Sequence, residues 1–89
     1  MIGGLSARRS NIEVVADILR LGEAGVTELL YSANLSHRQM KKYLRFLLSE
    51  RFMEKVIAPN PGVKYRVTDR GAQLLQGIES VLESLWGMS

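Results

Sequence analysis

The single histidine of the chain, His37, heads the run Ser36-His37-Arg38-Gln39-Met40-Lys41-Lys42-Tyr43-Leu44-Arg45-Phe46-Leu47-Leu48, and the chemistry this run offers is anion binding. On a helix, at about 100° per residue, Arg38, Lys41, Lys42 and Arg45 fall on one face while Met40, Leu44, Leu47 and Leu48 fall on another. No acidic residue interrupts either arc before Glu50. A solvated surface face usually mixes signs to gain i,i+4 ion pairs; four cations at i, i+3, i+4 and i+7 repel one another instead. That arrangement suits a helix whose apolar side is buried and whose basic side meets phosphates. Arg38 and His37, near the start of the helix, are the candidates for base edges, because an arginine can offer two donors to guanine. The lysines are placed for phosphates, which add affinity without sequence preference.

Other chemistries find little support. The chain has no cysteine, so disulfides, thiolate zinc sites and a cysteine nucleophile are excluded. A metal site would have to rest on His37 and carboxylates. No Ser/His/Asp set, catalytic carboxylate pair or phosphate-cradling glycine loop assembles around that histidine, and Gly3-Gly4 lacks the strand-to-helix context such a loop needs. The expectation is a protein that is not an enzyme and has no cofactor or metal, with His37 donating to a phosphate or to water.

The charge distribution points the same way. The 89 residues carry a net charge of +3, yet from His37 to Arg70 nine cations face only Glu50, Glu54 and Asp69, and the remainder is net negative. Such polarisation favours a polyanionic partner, since counterion release supplies much of the affinity for nucleic acid. No apolar run approaches the roughly 18 residues that span a bilayer. Met1-Ile2-Gly3-Gly4-Leu5 is short for a signal-peptide core and precedes rather than follows Arg8 and Arg9, so a cytoplasmic location is expected.

The elements that must position the basic helix are legible in turn. Residues 1–9 read as a flexible N-terminus. Ser10 or Asn11 caps a first helix that carries Ile12, Val15, Ile18 and Leu19 at helical spacing and ends near Gly22. A short second helix follows Gly25, with Val26 extended and Thr27 as its cap. Asn34-Leu35 makes a tight corner, Asn tolerating left-handed dihedrals and Leu35 giving the corner a buried side chain. Ser36 with Gln39 forms the capping-box pattern that opens the third helix, 36–50. Tyr31 and Tyr43 are expected in the core. Two helices joined by a short turn, the second basic, match a helix-turn-helix.

After Arg51 the pattern becomes extended. Phe52, Met53, Val56 and Ile57 form an apolar run, Ala58-Pro59-Asn60-Pro61-Gly62 breaks it as a loop, and Lys64-Tyr65-Arg66-Val67 alternates. A two-stranded hairpin results, with Tyr65 and Val67 inward and Lys64 and Arg66 outward, toward a flanking phosphate backbone. The fold expected is therefore mainly α with a small β-hairpin, a winged helix-turn-helix over 10–67. Thr68 opens the last helix, 68–89, on which Leu74, Leu75, Ile78, Val81, Leu82, Leu85 and Trp86 share an arc. Its first half completes the core. Its second half, Val81 to Trp86, extends past a compact domain and would leave an apolar patch of the kind that marks an interface.

The segments Tyr31-Ser32-Ala33-Asn34-Leu35-Ser36, Lys42-Tyr43-Leu44 and Tyr65-Arg66-Val67-Thr68-Asp69-Arg70-Gly71-Ala72-Gln73-Leu74-Leu75 resemble the small archaeal winged-helix DNA-binding proteins that carry a C-terminal antiparallel coiled-coil helix. The resemblance spans about residues 10 to 86. It implies a homodimer that binds double-stranded DNA in a regulatory or chromatin role. It assigns Ser36, His37, Arg38, Lys41, Lys42 and Arg45 to the groove face, Lys64 and Arg66 to the wing, and Ile78, Leu82, Leu85 and Trp86 to the dimer seam, beside Val81. The chain departs from the family where relatives commonly place a glycine after the third helix and it has Arg51; its last helix is also short. The rival reading is a winged-helix module that grips an acidic protein partner. A membrane-surface role is disfavoured, since the polar side of the last helix carries Glu79 and Glu83 rather than Lys and Arg.

Overall fold

The computed structural model describes residues 10–57, 59 and 62–87; the expected flexible N-terminus, 1–9, and Ala58, Asn60 and Pro61 of the expected loop lie outside them. In chain order the elements are α1 (Asn11–Arg20), β1 (Glu23–Gly25), α2 (Val26–Ser32), α3 (His37–Ser49), β2 (Met53–Ile57), β3 (Val63–Val67) and α4 (Asp69–Gly87).

Local chemistry sets the helix ends. Ser10 and Glu13 form a reciprocal capping box on α1, and Ser36 and Gln39 do the same on α3. The α2 start differs from the sequence expectation: Val26 is already helical, the cap residue is Gly25, and Glu28 reaches back to accept from the Gly25 N–H at 3.2 Å, leaving Thr27 no capping role. Thr68 sits just ahead of α4 and its Oγ1 accepts from the Gly71 N–H at 3.1 Å.

Both ends of the corner around α3 are left-handed. After α2, Asn34 has φ 54°, the Asn34 N–H donates to Tyr31 O and the Leu35 N–H to Leu30 O; after α3, Arg51 has φ 62°, its N–H donates to Leu48 O and that of Phe52 to Leu47 O. Each is a Schellman turn, and each places an apolar residue, Leu35 or Phe52, just beyond the cap. Arg51 thus adopts a left-handed conformation that glycine takes without steric penalty, at a cost of about 1 kcal/mol.

The sheet has three antiparallel strands in the order β1-β3-β2, one more than the expected hairpin. Glu23, Ala24 and Gly25 pair with Arg66, Tyr65 and Lys64, while Met53 through Ile57 pair with Val67 through Val63. The core joins Ile18, Leu19, Leu29 and Leu47, all fully buried, to Met40, Leu44 and Met53, with Tyr65, Val67, Leu74, Leu75 and Ile78 packed against it.

Two sequence assignments to the core are corrected. Ile12 is 51% exposed and Val14 is buried instead, because the buried side of α1 centres on Val14, Val15, Ile18 and Leu19. Tyr31 is 82% exposed, since α2 turns Leu29 inward and Tyr31 away, whereas Tyr43 is buried as expected and donates from its hydroxyl to Asn11 Oδ1 at 2.6 Å.

The junction between α3 and α4 is tight. Thr68 Oγ1 donates to Arg51 O at 2.6 Å, Arg70 Nε donates to Glu50 O at 2.8 Å, and the Arg70 guanidinium lies 4.8 Å over the Phe52 ring, which in turn packs on Phe46. Gly71 is buried there: a Cβ would overlap the Phe52 carbonyl oxygen and come within 2.9 Å of Val67 Cγ1. On the far side, Arg20 of α1 donates to Asp17 and to Glu79 of α4 at 3.0 and 3.1 Å, an exposed link worth little energy where α4 crosses α1.

Candidate nucleic-acid interface

The face of α3 turned from the core is built from the residues between its anchors. Met40, Tyr43, Leu44 and Leu47 are buried, and that rotation leaves Ser36, His37, Arg38, Lys41, Lys42 and Arg45 exposed. His37, Arg38, Lys41, Lys42 and Arg45 line one shallow concavity. Among the described residues none of these cations makes an ion pair; Lys42 Nζ rests 5.4 Å over the ring of its neighbour Tyr43.

The helix termini sharpen the contrast. A helix N-terminus carries a partial positive charge and favours acidic residues in its first turn. Glu13, Glu28 and Asp69 occupy that position in α1, α2 and α4. The first turn of α3 has no acidic residue and holds His37 and Arg38, so the dipole and the side chains add to one positive region.

The two wing residues are not equivalent. Lys64 and Arg66 are both exposed on the outer face of β3, as alternation predicts. Lys64 has no ion-pair partner among the described residues. Arg66 stands opposite Glu23 on one side and Glu54 on the other, and donates from Nε and Nη2 to Glu54 Oε2 at 3.2 and 3.1 Å. Its charge is engaged within the sheet, which the sequence alone does not disclose because the strand register brings Glu54 to it. Lys55 is a further exposed cation on β2, and the alternation Met53, Lys55, Ile57 places it on the other face of the wing.

The apolar residues expected at a dimer seam divide along α4. Ile78 and Leu82 are half-buried, while Val81 and Leu85 are each 54% and Trp86 is 75% exposed. Arg20, Glu79, Leu82, Glu83 and Trp86 line one groove where α4 passes α1. Among the described residues no group of His, Asp or Glu side chains could hold a metal ion, and no helix is long and apolar enough to cross a membrane.

Comparison with known proteins places this geometry. The chain is similar to the uncharacterized protein MJ0287 of Methanocaldococcus jannaschii, with 33% identity over 79 residues that cover 85% of this chain and 76% of that protein. It is also similar to the uncharacterized protein MJ0290 of the same organism, with 31% identity over 84 residues, covering 91% of this chain but only 37% of that longer protein. Among solved structures, the crystal structure of Sso10a-2, a DNA-binding protein from Sulfolobus solfataricus, superposes with a TM-score of 0.81 at 26% identity, covering 90% of this chain and 85% of that one. Residues 8–85 match the winged helix-turn-helix family along nearly the whole length, and the chain belongs to that family.

Proposed function

We propose that this protein binds double-stranded DNA, with α3 in the major groove, in transcription regulation or chromatin organisation. One observation carries the reading: four unpaired cations and His37 share the exposed face of the one helix among the four described whose positive N-terminus has no acidic residue beside it. The likeness to a DNA-binding protein, Sso10a-2, supports it. Arg38 and His37, at the N-terminal end of α3, meet base edges, and Lys41, Lys42 and Arg45 meet phosphates, with Ser36 at the cap. Lys64 holds a flanking phosphate. Arg66, held by Glu54, braces the sheet and adds less charge to the interface than its sequence position suggests.

The protein acts as a homodimer through α4. Ile78 and Leu82 start the seam and Val81, Leu85 and Trp86 extend it, which removes from water the apolar surface left exposed at the end of the helix. A titration of random-sequence duplex DNA over a salt series, followed by fluorescence anisotropy, tests the first part. Four phosphate-neutralising cations per chain, Lys41, Lys42, Arg45 and Lys64, predict a log–log slope of about −3.6 per protomer. No binding at low salt, or a slope near zero, refutes it. Sedimentation tests the second: Leu82→Asp is expected to give monomers, and an unchanged mass places the seam elsewhere.

A further inference from the structure

Lys42 stands between two concavities of unlike chemistry. On one side it lines the basic face with His37, Arg38, Lys41 and Arg45; on the other it shares a cavity of about 240 Å³ with Asn11 and Val15 of α1 and Tyr43 and Phe46 of α3. Helical spacing brings this about, since Phe46 follows Lys42 by four residues and the two side chains are neighbours along the edge of α3 that adjoins α1.

The walls of this second cavity are apolar: Val15 and Tyr43 are buried and Phe46 is half-exposed. Its polar groups are few, and the free ones donate. The Tyr43 hydroxyl donates to Asn11 Oδ1 at 2.6 Å, which orients the Asn11 carboxamide and leaves its Nδ2 donors without a partner among the described residues. Lys42 Nζ lies 5.4 Å from the centroid of the Tyr43 ring, drawn to the negative face of that wall, and has no ion-pair partner among the described residues. Apolar walls with a small number of convergent polar groups are what a small-molecule site requires. Free donors alone call for an anion, and the walls call for an apolar body behind it. Sites for drug-sized ligands run from about 300 to 1,000 Å³; this one is smaller and has room for a single ring.

We propose that this cavity binds a one-ring aromatic carboxylate of the arylacetate class, its ring against Val15, Tyr43 and Phe46 and its carboxylate accepting from Lys42 Nζ and Asn11 Nδ2. An aromatic body gains edge-to-face or offset contacts with the two rings that an aliphatic one does not. The consequence for DNA rests on the reading above, in which Lys42 meets a phosphate. A carboxylate paired with Lys42 takes that ammonium from the duplex, and ligand and duplex then weaken each other by the same factor. One neutralised phosphate contributes a factor of about eight at about 0.1 M salt, so saturating ligand should lower duplex affinity about eightfold.

The test uses the full chain and para-fluorophenylacetate, followed by fluorine NMR without DNA and at constant ionic strength. A saturable change in the probe signal is expected, and the neutral para-fluorophenylacetamide should bind about tenfold more weakly because it cannot pair with a cation. Lys42→Gln, at an exposed position, should weaken the carboxylate about tenfold and leave the amide unaffected. Phe46→Gln should weaken both probes about tenfold; if it lacks a cooperative thermal transition, Lys42→Gln decides the matter. In a second arm, the anisotropy of a labelled duplex is read with and without saturating carboxylate: the affinity of the parent falls about eightfold, and that of Lys42→Gln, already lower, falls no further. No saturable signal with the parent, equal affinity for the acid and its amide, or undiminished carboxylate binding by Lys42→Gln overturns the site. Saturable binding that leaves duplex affinity unchanged overturns its coupling to DNA. Failure of the parent to bind the duplex at any ligand concentration overturns the DNA-binding reading, and the fluorine titration still decides the cavity.

Discussion

Two glycines on α4 should respond in opposite directions to the same substitution. In a helix interior, Gly→Ala gains about 1 kcal/mol from propensity and a less flexible unfolded chain. At Gly77 a Cβ meets no atom within 4 Å, so Gly77→Ala should realise most of that gain. At Gly71 the Cβ would overlap the Phe52 carbonyl oxygen. That oxygen cannot swing aside: it accepts from the Thr68 N–H at 3.1 Å, while the Phe52 N–H is committed to Leu47 O at 2.8 Å. Relief requires lifting the start of α4 from the wing, and overpacking of this kind costs about 1–3 kcal/mol or more. Against a rigid backbone atom the upper end applies, so after subtracting the propensity gain Gly71→Ala should lose about 2 kcal/mol. For a domain of this size each kcal/mol moves Tm by about 4–8 °C. Gly77→Ala should therefore melt about 3–6 °C above the parent and Gly71→Ala about 8–16 °C below it, followed by circular dichroism at one fixed protein concentration because self-association shifts Tm. The two sites lie about 9 Å apart along the helix, so the double variant should show nearly the sum. A Gly71→Ala protein as stable as the parent refutes the close approach at the α3–α4 junction.

Arg51→Gly should raise Tm by about 2–4 °C, because it relieves a left-handed φ of 62° while the added freedom of the unfolded chain returns part of the gain; differential scanning fluorimetry reads this, and an unchanged Tm means the cap is unstrained. In the salt series, Lys41→Ala should make the slope shallower by about 1, whereas Arg66→Ala should leave it nearly unchanged, since its guanidinium is bound to Glu54. Equal losses from the two variants would mean that Arg66 leaves Glu54 to meet the duplex.

Much of this architecture is written in short-range chemistry. The cap at the start of α1, the Ser36–Gln39 capping box, the Asn34 corner and the two arcs of α3 need only neighbours three or four residues away, and each appears in the structure as the sequence implies, with Ser10 rather than Asn11 as the α1 cap. What escapes the sequence depends on partners brought from afar. Strand β1 is three residues, Glu-Ala-Gly, with no alternation of its own, and exists because β3, some forty residues later, offers it an edge. Arg66 and Glu54 meet through strand register. Type and spacing point Tyr31 and Ile12 inward, and the packing of α2 and α1 turns them out. The basic face of α3 was fully legible; the difference between Lys64 and Arg66 was not.

The bracing between the end of α3 and the start of α4 has a mechanical consequence. With Thr68 clasping the Arg51 carbonyl, Arg70 clasping that of Glu50 and no spare room at Gly71, the joint is tied at three points. In a pair of chains joined through α4, the two α3 rods would then stand at a separation and phase set by steel rather than string. Such an assembly would act as a fixed caliper on the double helix, accepting sites whose turn-to-turn spacing fits its jaws and rejecting those out of phase, instead of stretching to reach them.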